Sequence, residues 1–244
     1  MVTLTADRAP AERQVIYRHG LAVRLTHWIN VLVISLLLMS GLNIFNAHPR
    51  LYWGQFGADH DHAWLWLAHG FPKWATLPHY RDLATARRWH FFLAWLFVIN
   101  GAAYWLIGLI NGHLRRDIVP TRADLAPGNL WRSILDHVRL RHPVGEAARR
   151  YNVLQKLAYV AVIGVLLPLM VITGLSMSPG FDAFAPWLPG VFGGRQSARA
   201  IHFITANLIV LFVIVHLVEV VLAGVVNELR SMITGRYALP SGEH

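Results

Sequence analysis

The sequence predicts an all-α membrane protein: a four-transmembrane-helix bundle with both termini cytoplasmic. Three observations carry that expectation. Four apolar stretches each approach the ~20 residues a helix needs to cross the hydrocarbon of a bilayer. Of 244 residues, 55% are hydrophobic and only 14% are charged, with a mean hydropathy of +0.41, whereas soluble domains carry about a quarter charged residues. The 22 lysines and arginines divide unevenly between the two sides of the predicted spans.

The first apolar stretch covers residues 22–45. The polar residues before it and its full spanning length make it a retained helix rather than a cleaved signal sequence. The others cover residues 89–110, 154–177 and 198–226. None has the alternating pattern of a barrel strand, so the spans are helices, which satisfy their own backbone groups in lipid. With four spans, the N-terminus, the loop at 111–151 and the C-terminus share one side. Fifteen of the basic residues fall there or just inside the helix ends, against seven opposite (Arg50, Lys73, Arg81, Arg87, Arg88, Arg195 and Arg199). The positive-inside rule makes the richer side cytoplasmic. The basic excess of +9 is thereby explained by topology and not by nucleic acid. One single domain over 1–244 in a bacterial cytoplasmic (inner) membrane is expected.

Two connections have character of their own. On the outer side, Trp64, Trp66, Leu67, Phe71 and Trp74 suggest a helix lying in the interface, where amphipathic aromatics prefer to sit. On the inner side, Trp131, Ile134, Leu135 and Val138 recur at helical spacing opposite Arg132, Asp136 and Arg139, the pattern of a membrane-surface helix. The outer stretch 178–196 is rich in Pro and Gly and reads as a tight turn. His60 and His62, beside Asp59 and Asp61, read as solvated surface.

Cysteine is absent, which excludes disulfides, covalently attached c-type haem and cysteine-held iron–sulfur clusters. Histidine carries the chemistry instead. His27, His90, His202 and His216 lie within the apolar spans, and ionisable groups at membrane depth are costly and by default functional. His202 and His216 are fourteen residues apart, which at about 100° and 1.5 Å per residue returns nearly to the same helix face about 21 Å further along. Topology then sorts the four by depth. His27 and His216 meet near the cytoplasmic side, and His90 and His202 meet near the periplasmic side. Two imidazoles from two helices at one level suit the axial positions of a haem, so the set predicts two bis-histidine haems stacked across the bilayer. Arg87, Arg88 and Arg199 near the outer pair, and Arg18 and Arg24 near the inner one, could bind haem propionates or simply snorkel. Gly101, Gly108, Gly164 and Gly174 would let macrocycles or helices approach closely.

These residues resemble a known group. The stretch R-H-G-L-A-V-R-L-T-H-W-I-N at 18–30, the R-R-W-H opening at 87–90 and the His202–His216 pair are similar to the integral di-haem cytochrome b subunits of respiratory formate dehydrogenases, nickel–iron hydrogenases and thiosulfate reductases, related to bacterial cytochrome b561. The resemblance spans nearly the whole chain. It implies haem b at both sites and electron exchange between membrane quinone and a partner redox enzyme or electron carrier, with a periplasmic molybdenum enzyme the preferred partner. It also implies quinone near the cytoplasmic haem, where Asn111 and His113 are polar candidates or merely cap and end the helix. Two rival readings remain: a stand-alone oxidoreductase taking electrons from a small species such as superoxide into quinone, and a colourless transporter with a histidine proton relay.

Overall fold

The protein is described by a computed structural model covering residues 14–58, 61–139 and 151–239. Asp59 and His60, and Arg8, Arg13, Arg141, Arg149 and Arg150 of the charge count, lie outside the described residues. The described chain begins with strand β1 (Val15–Tyr17) and helix α1 (Leu21–Ala47). Two short strands follow, β2 (Arg50–Leu51) and β3 (Leu65–Trp66), and then helix α2 (Leu83–Ile110). After α3 (Pro127–Val138), a third span is built from α4 (Val153–Ala161) and α5 (Leu167–Met177). Two short helices, α6 (Pro179–Phe184) and α7 (Leu188–Val191), lead into α8 (Arg195–Leu222). Helix α9 (Val225–Thr234) and strand β4 (Arg236–Ala238) close the described chain. Among the described residues, four helical runs are long and apolar enough to cross a membrane: α1, α2, residues Val153–Met177, and α8.

Local chemistry explains where these helices start and stop. Helix α2 begins six residues before the apolar run because the Asp82 carboxylate accepts the Thr85 N–H at 3.1 Å, capping an otherwise unsatisfied donor. The third span opens on a reciprocal box, with Asn152 and Gln155 each bonding the other's end of the first turn. It then widens to a π-type turn at Val162–Leu166, just before Pro168, whose missing N–H cannot close a regular turn. The fourth span is shorter than the apolar run suggests. It ends at Leu222, and Gly224 takes the left-handed φ of 103°. Val225 and Val226 therefore start the amphipathic α9 rather than finish the span.

The four spans pair as two antiparallel hairpins, α1 with α2 and α5 with α8. Near one end of the first hairpin, the Asn100 amide of α2 donates to the Thr26 carbonyl at 2.9 Å and to Asn30 Oδ1 at 2.8 Å on α1. Such buried polar groups hold register because each would be costly unpaired. Val33, Leu93 and Phe97 form a buried apolar cluster, and Leu167 and Val171 of the second hairpin pack on it. Phe45 of α1 stacks on Phe203 of α8 with centroids 4.9 Å apart.

Strands β1 and β4 pair antiparallel, so the chain enters and leaves the bundle on one side. Arg24 donates to the Ile233 carbonyl, Trp28 Nε1 to Met232 at 3.0 Å, and Arg18 faces Glu228 at 3.6 Å. Together these tie the start of α1 to α9. The same side holds α3, as the inner amphipathic pattern predicts, with Trp131 and Val138 exposed and His137 facing Glu219 of α8 at 3.3 Å.

The other connection corrects an expectation. Trp64, Trp66, Leu67, Phe71 and Trp74 do not form an interfacial helix. Trp66 and Leu65 sit in β3, paired with Arg50 and Leu51 of β2, and Trp74 lies in a single 3₁₀ turn. Gly70 at φ 62° and Pro72 interrupt any helix there. The segment is instead fastened to α1 by two buried asparagines. Asn46 exchanges hydrogen bonds with the Phe71 N–H and carbonyl, and Asn43 donates to the carbonyls of Pro78 and Tyr80.

Lys156, 8% exposed at the start of the third span, is neutralised by Asp124 at 2.9 Å. The Lys156 hydrogen bond, with the Thr121 N–H second, lowers the Asp124 carboxyl to about 2. Its folded value lies below its unfolded one, so its stabilising contribution is complete above about pH 4 and is lost as pH falls through about 2. Asp124→Asn should destabilise the detergent-solubilised protein by roughly 1–3 kcal/mol, because it leaves a buried ammonium unpaired. Thermal unfolding at pH 7 should show that loss. The gap between wild type and variant should narrow by pH 3, and an equal gap at both pH values would contradict this account.

Candidate functional site

The two hairpins bring the four intramembrane histidines together in two pairs. The His90 ring from α2 and the His202 ring from α8 have centroids 6.3 Å apart, inclined at 64°. The His27 ring from α1 and the His216 ring from α8 are also 6.3 Å apart, inclined at 69°. Each pair draws on both hairpins, so neither exists until the hairpins meet. On α8 the two levels are separated by fourteen residues, about 21 Å of helix.

The spacing within each pair is informative. Two metal–imidazole bonds of about 2 Å, with about 1.1 Å from each nitrogen to its ring centre, put the centroids of two axial rings about 6 Å apart. Both pairs match that distance. Among the described residues, no three His, Asp or Glu side chains converge as a metal site. A bare ion of the zinc type usually wants at least three protein ligands, so a two-histidine site suits a group that brings its own equatorial donors. Haem fits that requirement, with His90 and His202 at one level and His27 and His216 at the other as the residues that would hold it.

The rings of His90 and His202, the pair expected on the outer side, are also oriented. Ser40 Oγ lies 3.0 Å from His90 Nδ1, and Thr173 Oγ1 lies 2.9 Å from His202 Nδ1. Gly41 and Gly174, each next in sequence to a hydroxyl residue, lie against these rings. A Cβ at either position would sit 3.5 Å from the ring's Cε1, an ordinary packing distance, so each imidazole lies beside its glycine. The inner pair is framed by aromatics instead: Phe212 stacks on His216 at 5.9 Å, and Trp28 stands edge-on to His27 at 5.5 Å.

The arginines are largely engaged by protein. Arg199 donates to the carbonyls of His48 and Arg50, which fixes β2 over the start of α8. Arg87 lies over the Phe91 ring at 5.6 Å, and Arg88 reaches Thr85 Oγ1 at 3.4 Å. At the other end, Arg18 lies over the Tyr237 ring at 4.3 Å, while Arg24 serves the Ile233 carbonyl. Asn111 caps α2 and accepts the His113 N–H at 2.9 Å. His113 Nδ1 pairs with Asp117 at 2.7 Å. Asn111 and His113 nonetheless line one cleft with Ala22, Val23, Tyr104, Ile107 and Gly108. His19, next to Arg18, is 8% exposed. Burial first, and the Arg18 charge second, lower its imidazole to about 4, so it is neutral at physiological pH.

Of the four glycines expected to allow close approach, Gly174 meets His202, while Gly108 packs on Leu114 of its own helix exit. A Cβ at Gly101 would meet nothing within 4 Å, and one at Gly164 would just touch Val160. The residues that sequence reasoning missed are Ser40, Gly41 and Thr173. Their signal was a hydroxyl followed by glycine, occurring once in each hairpin's first span.

Comparison with known proteins agrees with this geometry. Residues 18–235 match the model of a family described as prokaryotic cytochrome b561. The chain is 30% identical over 216 residues to a protein of Azospira oryzae named putative protein-methionine-sulfoxide reductase subunit YedZ1, covering 87% of this chain and 93% of that one. The match takes in all four membrane-length helices and all four of their paired histidines. This chain therefore belongs to the prokaryotic cytochrome b561 family, multi-pass proteins of the bacterial inner membrane that bind b-type haem and carry electrons.

Proposed function

We propose that the chain passes electrons across the membrane through two b-type haems, one at each histidine pair, between the quinone pool and a partner enzyme. The observation that carries this reading is the duplication: two pairs from both hairpins, each with centroids 6.3 Å apart, at two depths of one bundle. Haem with both axial positions filled by imidazole supplies one-electron carriage with no open position for oxygen or substrate. The protein's part is to supply neutral imidazoles, to fix their separation and to exclude water between the levels. The apolar cluster of Val33, Leu93 and Phe97 does the last of these.

The name of the Azospira oryzae relative points to the partner. Reduction of a methionine sulfoxide takes two electrons and two protons and yields the thioether and water. A partner of that kind consumes electrons, so flow runs from quinol to the outer face. There the partner would dock as a periplasmic redox enzyme, and its molybdenum character rests on the resemblance to formate dehydrogenase and thiosulfate reductase subunits. With the basic side cytoplasmic, the quinone site falls at the cleft of Asn111, His113 and Tyr104. A rival in which Arg87, Arg88 and Arg199 steer a small anion such as superoxide gains little support, since Arg199 is already bonded to two backbone carbonyls.

His202→Ala and His216→Ala should each lower the haem content from two to one per chain, measured as pyridine haemochrome; two haems retained in either variant would refute the ligand assignment. Asn111→Leu should keep both haems yet slow their reduction by a quinol analogue at least tenfold, whereas an unchanged rate would move the quinone elsewhere. An affinity-tagged chain should copurify a periplasmic reductase that the reduced cytochrome can turn over, and failure of any such protein to reoxidise it would favour a stand-alone enzyme.

A further inference from the structure

We propose that Ser40 and Thr173 are positioning residues for the outer centre: each fixes the tautomer and orientation of one imidazole, His90 or His202, and so sets the outer centre's potential apart from the inner one's. This rests on the reading that the His90–His202 pair holds a haem.

The hydrogen bonds decide the tautomer. A hydroxyl has one proton to give. Ser40 lies mid-helix, with its Oγ 2.9 Å from the Leu36 carbonyl and 3.0 Å from that of Leu37. Thr173 Oγ1 lies 2.6 Å from the Leu169 carbonyl. Carbonyls can only accept, so each hydroxyl proton is spent on its own helix. The oxygen facing the imidazole is left with lone pairs alone, and Nδ1 must be the donor. Each ring thus carries its proton on Nδ1 and keeps Nε2 bare, the form a metal ligand needs.

Burial makes this arrangement persistent. Ser40 and Thr173 are both 0% exposed, so no water competes for Nδ1. Each ring also lies beside the adjacent glycine, Gly41 or Gly174. The device occurs twice in the same form: the first helix of each hairpin offers hydroxyl then glycine, and the second offers the histidine. The inner level lacks it. Among the described residues, no hydroxyl is bonded to His27 or His216, whose rings meet Trp28 and Phe212 instead.

An acceptor at Nδ1–H raises the basicity of the ligating nitrogen, and stronger donation favours the oxidised metal. Removing the hydroxyl weakens that donation and frees the ring to turn. Two features should therefore change together and only at the outer centre: the midpoint potential should rise, and the low-spin electron paramagnetic resonance signal, which depends on the angle between the two imidazole planes, should shift.

The test uses the full chain loaded with haem, as wild type, Ser40→Ala, Thr173→Val and Thr173→Ser. Haem is counted by pyridine haemochrome, and the two centres are resolved by redox titration and electron paramagnetic resonance. Ser40→Ala and Thr173→Val are expected to raise the outer potential and shift the outer signal with the inner centre unmoved, while Thr173→Ser, which keeps the hydroxyl, stays at wild type. Loss of the outer haem in Thr173→Val but not in Thr173→Ser supports the same role. Two retained haems with unchanged potentials and signals would overturn the positioning role and leave the haem assignment standing, as would equal loss in Thr173→Val and Thr173→Ser. A wild-type chain without two haems would overturn both.

Discussion

The structure depends on the cost of a ring nitrogen with no partner at membrane depth. Water is not there to satisfy an imidazole, so each nitrogen needs a partner from protein or from a bound group. At the outer level the protein supplies one partner itself: Ser40 to His90 and Thr173 to His202. The second nitrogen of each ring has no hydrogen bond of this kind, and the rings of each pair face each other from the two hairpins with centroids 6.3 Å apart. A sequence that accepts this cost four times, in two matched pairs, has specified both where its hairpins meet and what they can hold.

That constraint explains the division of labour among the other polar residues. Asn100 locks α1 to α2 within a hairpin, so the position of His27 relative to His90 is fixed by contacts internal to that hairpin. Asn43, Asn46 and Arg199 bind the outer connection to helix ends. Arg18, Arg24 and Trp28 do the same for α9 on the other side. The two surfaces of the bundle are thus capped by backbone-directed side chains, while its middle is sealed by the Val33, Leu93 and Phe97 cluster.

The two levels are not chemically equal. The His90–His202 pair is hydroxyl-bonded and lies beside glycines, whereas the His27–His216 pair sits among aromatic rings near Arg24, His19 and the Asn111–His113 cleft. Were haem bound at both pairs, its protein ligands would be histidines at both levels, and any difference in potential would come from such surroundings. An electron carrier linking two partners of different potential benefits from that asymmetry.

The sequence by itself determined the class and most of the site. Long apolar runs specify spans because backbone groups in lipid have no partner outside the helix. The fourteen-residue interval specifies two levels because helix geometry is fixed. The pairing by depth then follows from alternation of direction, and the rings do meet as that logic requires. Helix ends were less legible: Asp82 started α2 early, and Gly224 ended α8 early. The aromatic outer connection was misjudged because its tryptophans suggested an interface helix, while Gly70, Pro72 and the asparagines of α1 enforced irregular backbone. Only the tertiary structure could decide what each ring's other nitrogen touches. Ser40 and His90 are fifty residues apart, and Thr173 and His202 twenty-nine, and no local period links such positions. Whether a hydroxyl in an apolar helix merely bonds its own turn or also holds a ligand on its neighbour depends on how two helices rotate against each other, and packing alone sets that rotation.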